Sequence, residues 1–347
     1  MKTSNKIYRL GIDIGKKQFH LWGVGKSDAP LLRKKLKRSQ LLAHIANLEP
    51  CLIIMEACAG AHHWARSFAQ HGHEVRLIAP QFVTPYVQGN KNDFNDAEGI
   101  CEAGGRPKMR FVAVKTVDQQ AMLSLHRIRQ SIMKARTAHS NRMRGLLAEY
   151  GLVMNQGWSA LKRGIPEILE DASNGLPDTF RAFLSEMLDE FRHLEKRLKY
   201  YNQQLKVQGE LLQTPKRLEA IEGVGEVSAT AVVATFGNAR QFKNGRQFSA
   251  ALGLVPRHTG TGGEVRLLGI SKRGDRYVRT LLIHGARAAV NSAISKSKPK
   301  TDRRSSWIQR LVKERGYNRA TVALANKNAR IIWALLSRDD TYNPNYA

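Results

Sequence analysis

The sequence predicts an α/β domain with a mixed sheet, then a long helical arm, then a mainly helical C-terminal domain. Three observations carry this. From residue 7 to about 110, short β-branched runs alternate with stretches of helical length. From Phe180 to Leu205 the apolar positions fall at alternating gaps of four and three. After Thr214-Pro215 the chain turns strongly basic and helix-like, broken by glycine turns. The expected boundaries are 1–112, 113–212 and 213–347.

A chain of 347 residues can build two or three domains with real cores. It carries 56 Lys and Arg against 29 Asp and Glu, a net charge of +27, with a pI near 10.3. Such an excess excludes an ordinary metabolic enzyme and implies a polyanionic partner, nucleic acid first. From Gln241 onward there are 21 basic against 6 acidic residues, so 15 of the 27 net charges lie there. Cys51, Cys58 and Cys101 have no zinc spacing, and an odd count argues against a disulfide framework. No apolar run is long enough to span a bilayer, and Met1 to Lys6 lacks a signal-peptide core. A cytoplasmic protein without a membrane partner is expected.

Taking the elements in order, Ile7 to Ile12 is an apolar run ending at Asp13, and Cys51 to Met55 is another ending at Glu56. Both read as buried strands. Gln18 to Val24 reads as a hairpin return strand, Leu41 to Leu48 and Ala61 to Gln70 as helices, and His73 to Ala79 as a strand stopped by Pro80. Asp93 to Ala103 reads as a helix with Asp93 as its N-cap. Val117 to Tyr150 is helical and basic, through Arg127, Arg129, Lys134, Arg136, Arg142 and Arg144. That face is either solvated or turned toward phosphate. The Phe180–Leu205 seam predicts an arm that also dimerises, with an antiparallel hairpin inside one chain as the alternative.

In the C-terminal region, Leu218 to Ala229 looks like a helix-hairpin-helix. There Gly223 and Gly225 would let backbone N–H groups approach a phosphate, although any tight helical turn can use Gly-x-Gly. Gly274 to Val290 should be a helix opening at a basic turn, with Lys272, Arg273, Arg276 and Arg279 facing phosphate.

Asp13, Glu56, Asp93 and Asp96 form the candidate chemical centre. Taken singly, each is more often a turn or cap residue than a ligand. Gathered at strand ends and one helical turn, they would repel and take up protons unless divalent cations neutralise them. Oxygen ligands suit Mg²⁺ or Mn²⁺, and a metal pair can stabilise both oxygens of a phosphate displacement.

These residues stand in five motifs: Gly-x-Asp at a strand end, Glu-Ala after a buried strand, the Lys91-to-Ala97 box, a late Gly-Leu-x-Pro-Arg, and Gly-Ile-Ser-Lys-Arg-Gly-Asp. In that order they resemble the DEDD-type insertion-sequence transposases, the bridge-RNA-guided recombinases. The later motifs look like the 1111 subgroup, and the resemblance spans nearly the whole chain. It implies a RuvC-like front domain of RNase H type whose acidic tetrad, Asp13, Glu56, Asp93 and Asp96, holds Mg²⁺. It implies a C-terminal transposase domain whose loop hydroxyl links covalently to DNA. It further implies a non-coding guide RNA pairing with donor and target DNA, and a homo-oligomer, a tetramer built as a pair of dimers.

The family commonly carries Ser in that loop. Between Pro256 and Gly269 there is none, and gapless matching through Arg257 and Val265-Arg266 places Thr261 there. A threonine hydroxyl can act as a nucleophile when a base or metal activates it. Thr259 is a second candidate; Ser271 is a distant third and the expected N-cap of the next helix. The competing readings are a hairpin turn without catalytic role, a junction-resolving nuclease that uses water, and a nucleic-acid-binding protein without catalysis.

Overall fold

The computed structural model describes residues 6–90, 92–260, 262, 264–295, 301–338 and 340–343. The chain divides into two compact units, Met1–Thr116 and Val117–Ala347. The segments 113–212 and 213–347 thus fall almost wholly within one unit.

The first unit is α/β. Its elements are β1 (Arg9–Ile14), β2 (Gln18–Val24), β3 (Pro30–Lys37), α1 (Arg38–Ala46), β4 (Leu52–Glu56), α2 (Ala61–Gln70), β5 (Glu74–Ile78), α3 (Pro80–Val83), α4 (Asp93–Gly104) and β6 (Phe111–Val112). The six strands form one sheet in the order β3-β2-β1-β4-β5-β6. Strands β1, β4 and β5 run parallel; β2, β3 and β6 pair antiparallel with their neighbours. Central β1 and β4 read as near-continuous apolar runs because both faces are covered, Leu10, Ile12, Ile53, Ile54 and Met55 being wholly buried.

Strand β3 was not legible in the sequence. Its Pro30 and four basic residues look like a loop, and of its eight residues only Leu36 is buried. It is the sheet's edge, where lysines and a proline discourage pairing with another chain.

Gly11 fixes the layer above the sheet. A Cβ there would strike the backbone at Ala97 and Cys101 of α4. Its absence lets α4 lie directly on β1, bringing the first turn of the helix to the end of the strand. The N-cap of α4 is Asn92, whose side chain accepts from Phe94 N–H at 2.9 Å, not Asp93 as the sequence suggested. Asp93 is the first helical residue, so its carboxylate is free of capping.

The second unit contains α5 (Val117–Ala148), α6 (Trp158–Glu170), α7 (Asp178–Glu210), α8 (Gln213–Glu219), α9 (Glu226–Phe236), α10 (Gly245–Ala251), the ribbon β7 (Pro256–Thr259) and β8 (Arg266–Ile270), α11 (Arg276–Ala293), α12 (Arg303–Arg315) and α13 (Tyr317–Arg338). The four-three seam of α7 packs on α5 and α6 of the same chain: Phe180, Leu184 and Phe191 join Met143, Leu147, Leu161 and Ile165. Farther along, Leu194 and Leu198 meet Ile132. The seam expected to dimerise is therefore covered within the chain. A larger core joins α9, α10, α11, α12 and α13 around Val232, Phe248, Leu282 and Ile332. The arm is tied to it where His126 of α5 meets the Tyr277 hydroxyl of α11 at 3.0 Å.

Candidate functional site

Parallel pairing of β1 with β4 sets Ile12 opposite Met55, so Asp13 and Glu56, one residue further along each strand, come side by side. Asp93 and Asp96 reach the same place from the first turn of α4. Burial raises the Asp13 pKa, and Asp96 and Asp93 raise it further. Burial likewise raises Glu56, with Asp13 and then Asp96 adding to it. Carboxyl groups from three elements thus act on one another at the end of β1, and their like charges together with burial favour the protonated forms of Asp13 and Glu56.

The sequence reading missed a fifth group. His20 lies on β2 directly opposite Asp13 in the antiparallel register. It is 5% exposed, with Nδ1 3.5 Å from Asp93 Oδ2. Donor atoms of Asp13, His20 and Asp93 all lie within 4.8 Å of one another. Glu56 and Asp96 border that triad. The signal was available: a tight hairpin between Asp13 and His20 pairs them, and period-2 alternation turns them to one face. The His20 ring rests edge-on against Phe94 at 4.7 Å, and the Arg33 guanidinium covers Phe94 at 4.4 Å. Carboxylates with one imidazole fit a hard or borderline divalent cation.

The loop expected to carry the nucleophile is the β7–β8 ribbon. Thr261, with Gly263, lies outside the described residues. Thr259 is exposed and pairs with Arg266, and Arg257 is exposed beside it. All residues of β7 and nearly all of β8 are exposed, including Leu267 at 70%. The ribbon is anchored at its base, where Ser271 N–H donates to Val255 O and Lys272 N–H to Gly253 O. Ser271 is therefore part of that anchor and not a helix cap. Asp275 caps α11, accepting from Val278 N–H at 2.8 Å.

Of the basic residues at that turn, Lys272, Arg273 and Arg276 are exposed. Arg279 departs from the expectation. It is 8% exposed and donates to Leu252 O at 3.0 Å, holding the ribbon's approach instead of facing phosphate. On α5, Arg136 stacks on Trp158, Arg144 donates to Gly157 O and Arg129 to Asn202, whereas Arg127, Lys134 and Arg142 are exposed.

The two turn glycines also separate. Gly223 has φ +85°, and a Cβ there would lie 2.7 Å from Gly285 O of α11. Gly225 has φ −89° and open space where a Cβ would go. Packing requires the first glycine but not the second. Buried Arg304 and Asn328 both donate to Glu222 O, fixing the carbonyl just ahead of Gly223.

Fold and pocket together define a class: an α/β protein with clustered carboxylates, suited to a divalent cation, in a polycationic chain. Comparison with known proteins narrows it. A family model described as Transposase, of the DEDD type, matches residues 10–152. A second, Transposase IS116/IS110/IS902 family, matches residues 215–301. A "Probable family 20 transposase" of Pseudomonas aeruginosa is 49% identical over 97% of this chain and 98% of its own. The "Transposase for insertion sequence element IS1111A" of Coxiella burnetii is 44% identical over 98% and 93%. The "Transposase for insertion sequence element IS1328" of Yersinia enterocolitica is 39% identical over 96% and 98%. The chain belongs to this family of DEDD insertion-sequence transposases; it is a DNA transposase, and DNA is its partner. Among the described residues no helix is long and apolar enough to cross a membrane.

Proposed function

We propose that this transposase cuts and rejoins DNA under the guidance of a non-coding RNA of its own element, using a hydroxyl of the β7–β8 ribbon as nucleophile. The observation that carries this is the meeting of Asp13, Glu56, Asp93 and Asp96, with His20, at the end of β1. The six-stranded mixed sheet supports reading this unit as a RuvC-like domain of RNase H type. Mg²⁺, or Mn²⁺, held by the four carboxylates would supply Lewis-acid polarisation of the scissile phosphate and activation of the attacking hydroxyl.

The chain's own part is positioning. The Thr261 oxygen attacks the phosphorus, and its proton passes to water in the site. The bond to a DNA oxygen breaks, leaving a phosphothreonine ester; attack by a second DNA hydroxyl reseals the strand and frees the threonine. A bare two-stranded ribbon exposing Val265, Leu267 and Leu268 is marginal alone. That supports docking against an α/β unit, supplied by another subunit of a dimer or tetramer, so that cutting waits for assembly. Lys272, Arg273, Arg276, Arg257 and the Gly225 turn would hold the DNA backbone.

Threonine in place of the family's usual serine favours one second reading: a junction-resolving nuclease in which water attacks. End-labelled DNA on a denaturing gel separates the two. Thr261→Ala should remove a covalent protein–DNA band and Thr261→Ser restore it, with RNA binding unchanged in both. Cleavage by the alanine variant without any adduct in the parent chain would favour water.

A further inference from the structure

One face of α12, carrying Arg303, Ser306, Trp307 and Arg310, lines a hollow of about 560 Å³ with Lys327. A second, of about 680 Å³, opens between α10, α12 and α13 and is lined by Arg246, Trp307, Lys327, Arg330 and Trp333. Trp307 and Lys327 border both, so the hollows adjoin. Among the described residues neither is lined by a carboxylate. The Lys327 ammonium lies 4.8 Å over the Trp307 ring. Burial lowers the Lys327 pKa, and Arg304, Arg303 and Arg330 lower it further. This is a like-charge cluster with indole rings set into it, and among the described residues the lining of the two hollows supplies no carboxylate to relieve it.

Duplex DNA would satisfy the charge but not the indoles, because its base faces are stacked on each other. An acidic peptide would also leave them unused. A single strand offers both phosphates and free base faces. We infer that these hollows form one groove for single-stranded polynucleotide, with an unpaired base stacked on Trp307 and flanking phosphates held by Arg303, Arg310, Lys327 and Arg330. The site shares no residue with the acidic cluster and does not depend on which hydroxyl attacks.

The test uses the full chain and fluorescence anisotropy with labelled 20-mers of oligo-dT and oligo-rU, a duplex of equal length, and polyglutamate as competitor. Trp307→Ala should weaken single-strand binding on the order of tenfold, leave duplex binding unchanged, and be largely reversed in Trp307→Phe. The exposed pair Arg303→Gln and Arg310→Gln should lower the salt slope of single-strand binding by about one unit for each phosphate no longer neutralised. Tighter binding of dT or of rU identifies the strand as DNA or RNA, and either preference supports the groove. Equal losses on single strand and duplex, or polyglutamate competing as well as an oligonucleotide, would overturn it. If Trp307→Ala does not fold, unchanged single-strand affinity and salt slope in the double arginine variant overturn it alone.

Discussion

The α/β unit and the C-terminal unit handle charge in opposite senses. The first draws Asp13, Glu56, Asp93 and Asp96 together until burial and mutual repulsion raise the pKa of Asp13 and Glu56. The second draws Arg303, Arg330 and Lys327 together until the same two causes lower the pKa of Lys327. Neither cluster helps the chain to fold. Each would be relieved by a ligand of opposite charge, a small divalent cation in one and, on the inference above, a polyphosphate in the other. Strongly perturbed groups gathered in this way are what functional sites are expected to show.

The largest effect should come from breaking the acidic side. Asp13→Asn should reduce DNA strand cleavage by about a hundredfold or more, since it removes a carboxylate from the metal pocket. It should also abolish any Mg²⁺-induced rise in Tm. In metal-free buffer the same change should stabilise the fold at neutral pH. The sign follows from linkage: a carboxyl whose folded pKa lies above its unfolded value contributes stability that is full below the unfolded pKa. That contribution is lost as pH rises through the folded pKa. The Tm of the parent chain relative to Asp13→Asn should therefore fall as pH climbs from the ordinary 3.8 toward neutrality. A gap in Tm that does not change with pH, or a parent chain that Mg²⁺ does not stabilise, would remove the acidic half of the contrast.

Next in size is the pair of glycines in the helix turn. Gly223→Ala places a methyl against Gly285 O at positive φ, and should destabilise the fold by about 1–3 kcal/mol in urea unfolding. Gly225→Ala has room and an ordinary φ, so stability should hold. Its cost should appear in DNA affinity, because a methyl at the start of α9 keeps a phosphate from the backbone N–H groups. Unchanged DNA affinity in Gly225→Ala would make the turn a packing device only.

Much of this was readable from residues. The β1 and β4 runs each ended near a carboxylate, and parallel neighbours with carboxylates at one end must bring them together. What escaped had physical reasons. His20 sat in an apolar run, and its role needed the hairpin register that pairs it with Asp13. Strand β3 is an edge strand whose lysines conceal its alternation. The α7 seam marked most of the buried residues, with Leu188 buried where Met187 was expected, but not what they pack against. A four-three repeat serves a partner helix equally well in the same chain or another, and here α5 and α6 fill the role. Arg279 looked like its basic neighbours, and only its place on the inner face of α11 separates it from Arg276.

That last pair gives the finest test of the basic side. Both are arginines on α11, three residues apart, and a count of charges would treat them alike. Arg279 donates to Leu252 O from a buried position, so Arg279→Gln should cost about 1–3 kcal/mol of stability. DNA affinity should fall only as far as the ribbon loosens. Arg276 is exposed at the first turn of the same helix. Arg276→Gln should leave Tm unchanged and lower the salt slope of DNA binding by about one, as expected when a single phosphate is no longer neutralised. If the two variants instead lose affinity equally at unchanged Tm, burial does not distinguish them. The C-terminal charge would then act as a diffuse field, without assigned phosphate partners at this turn.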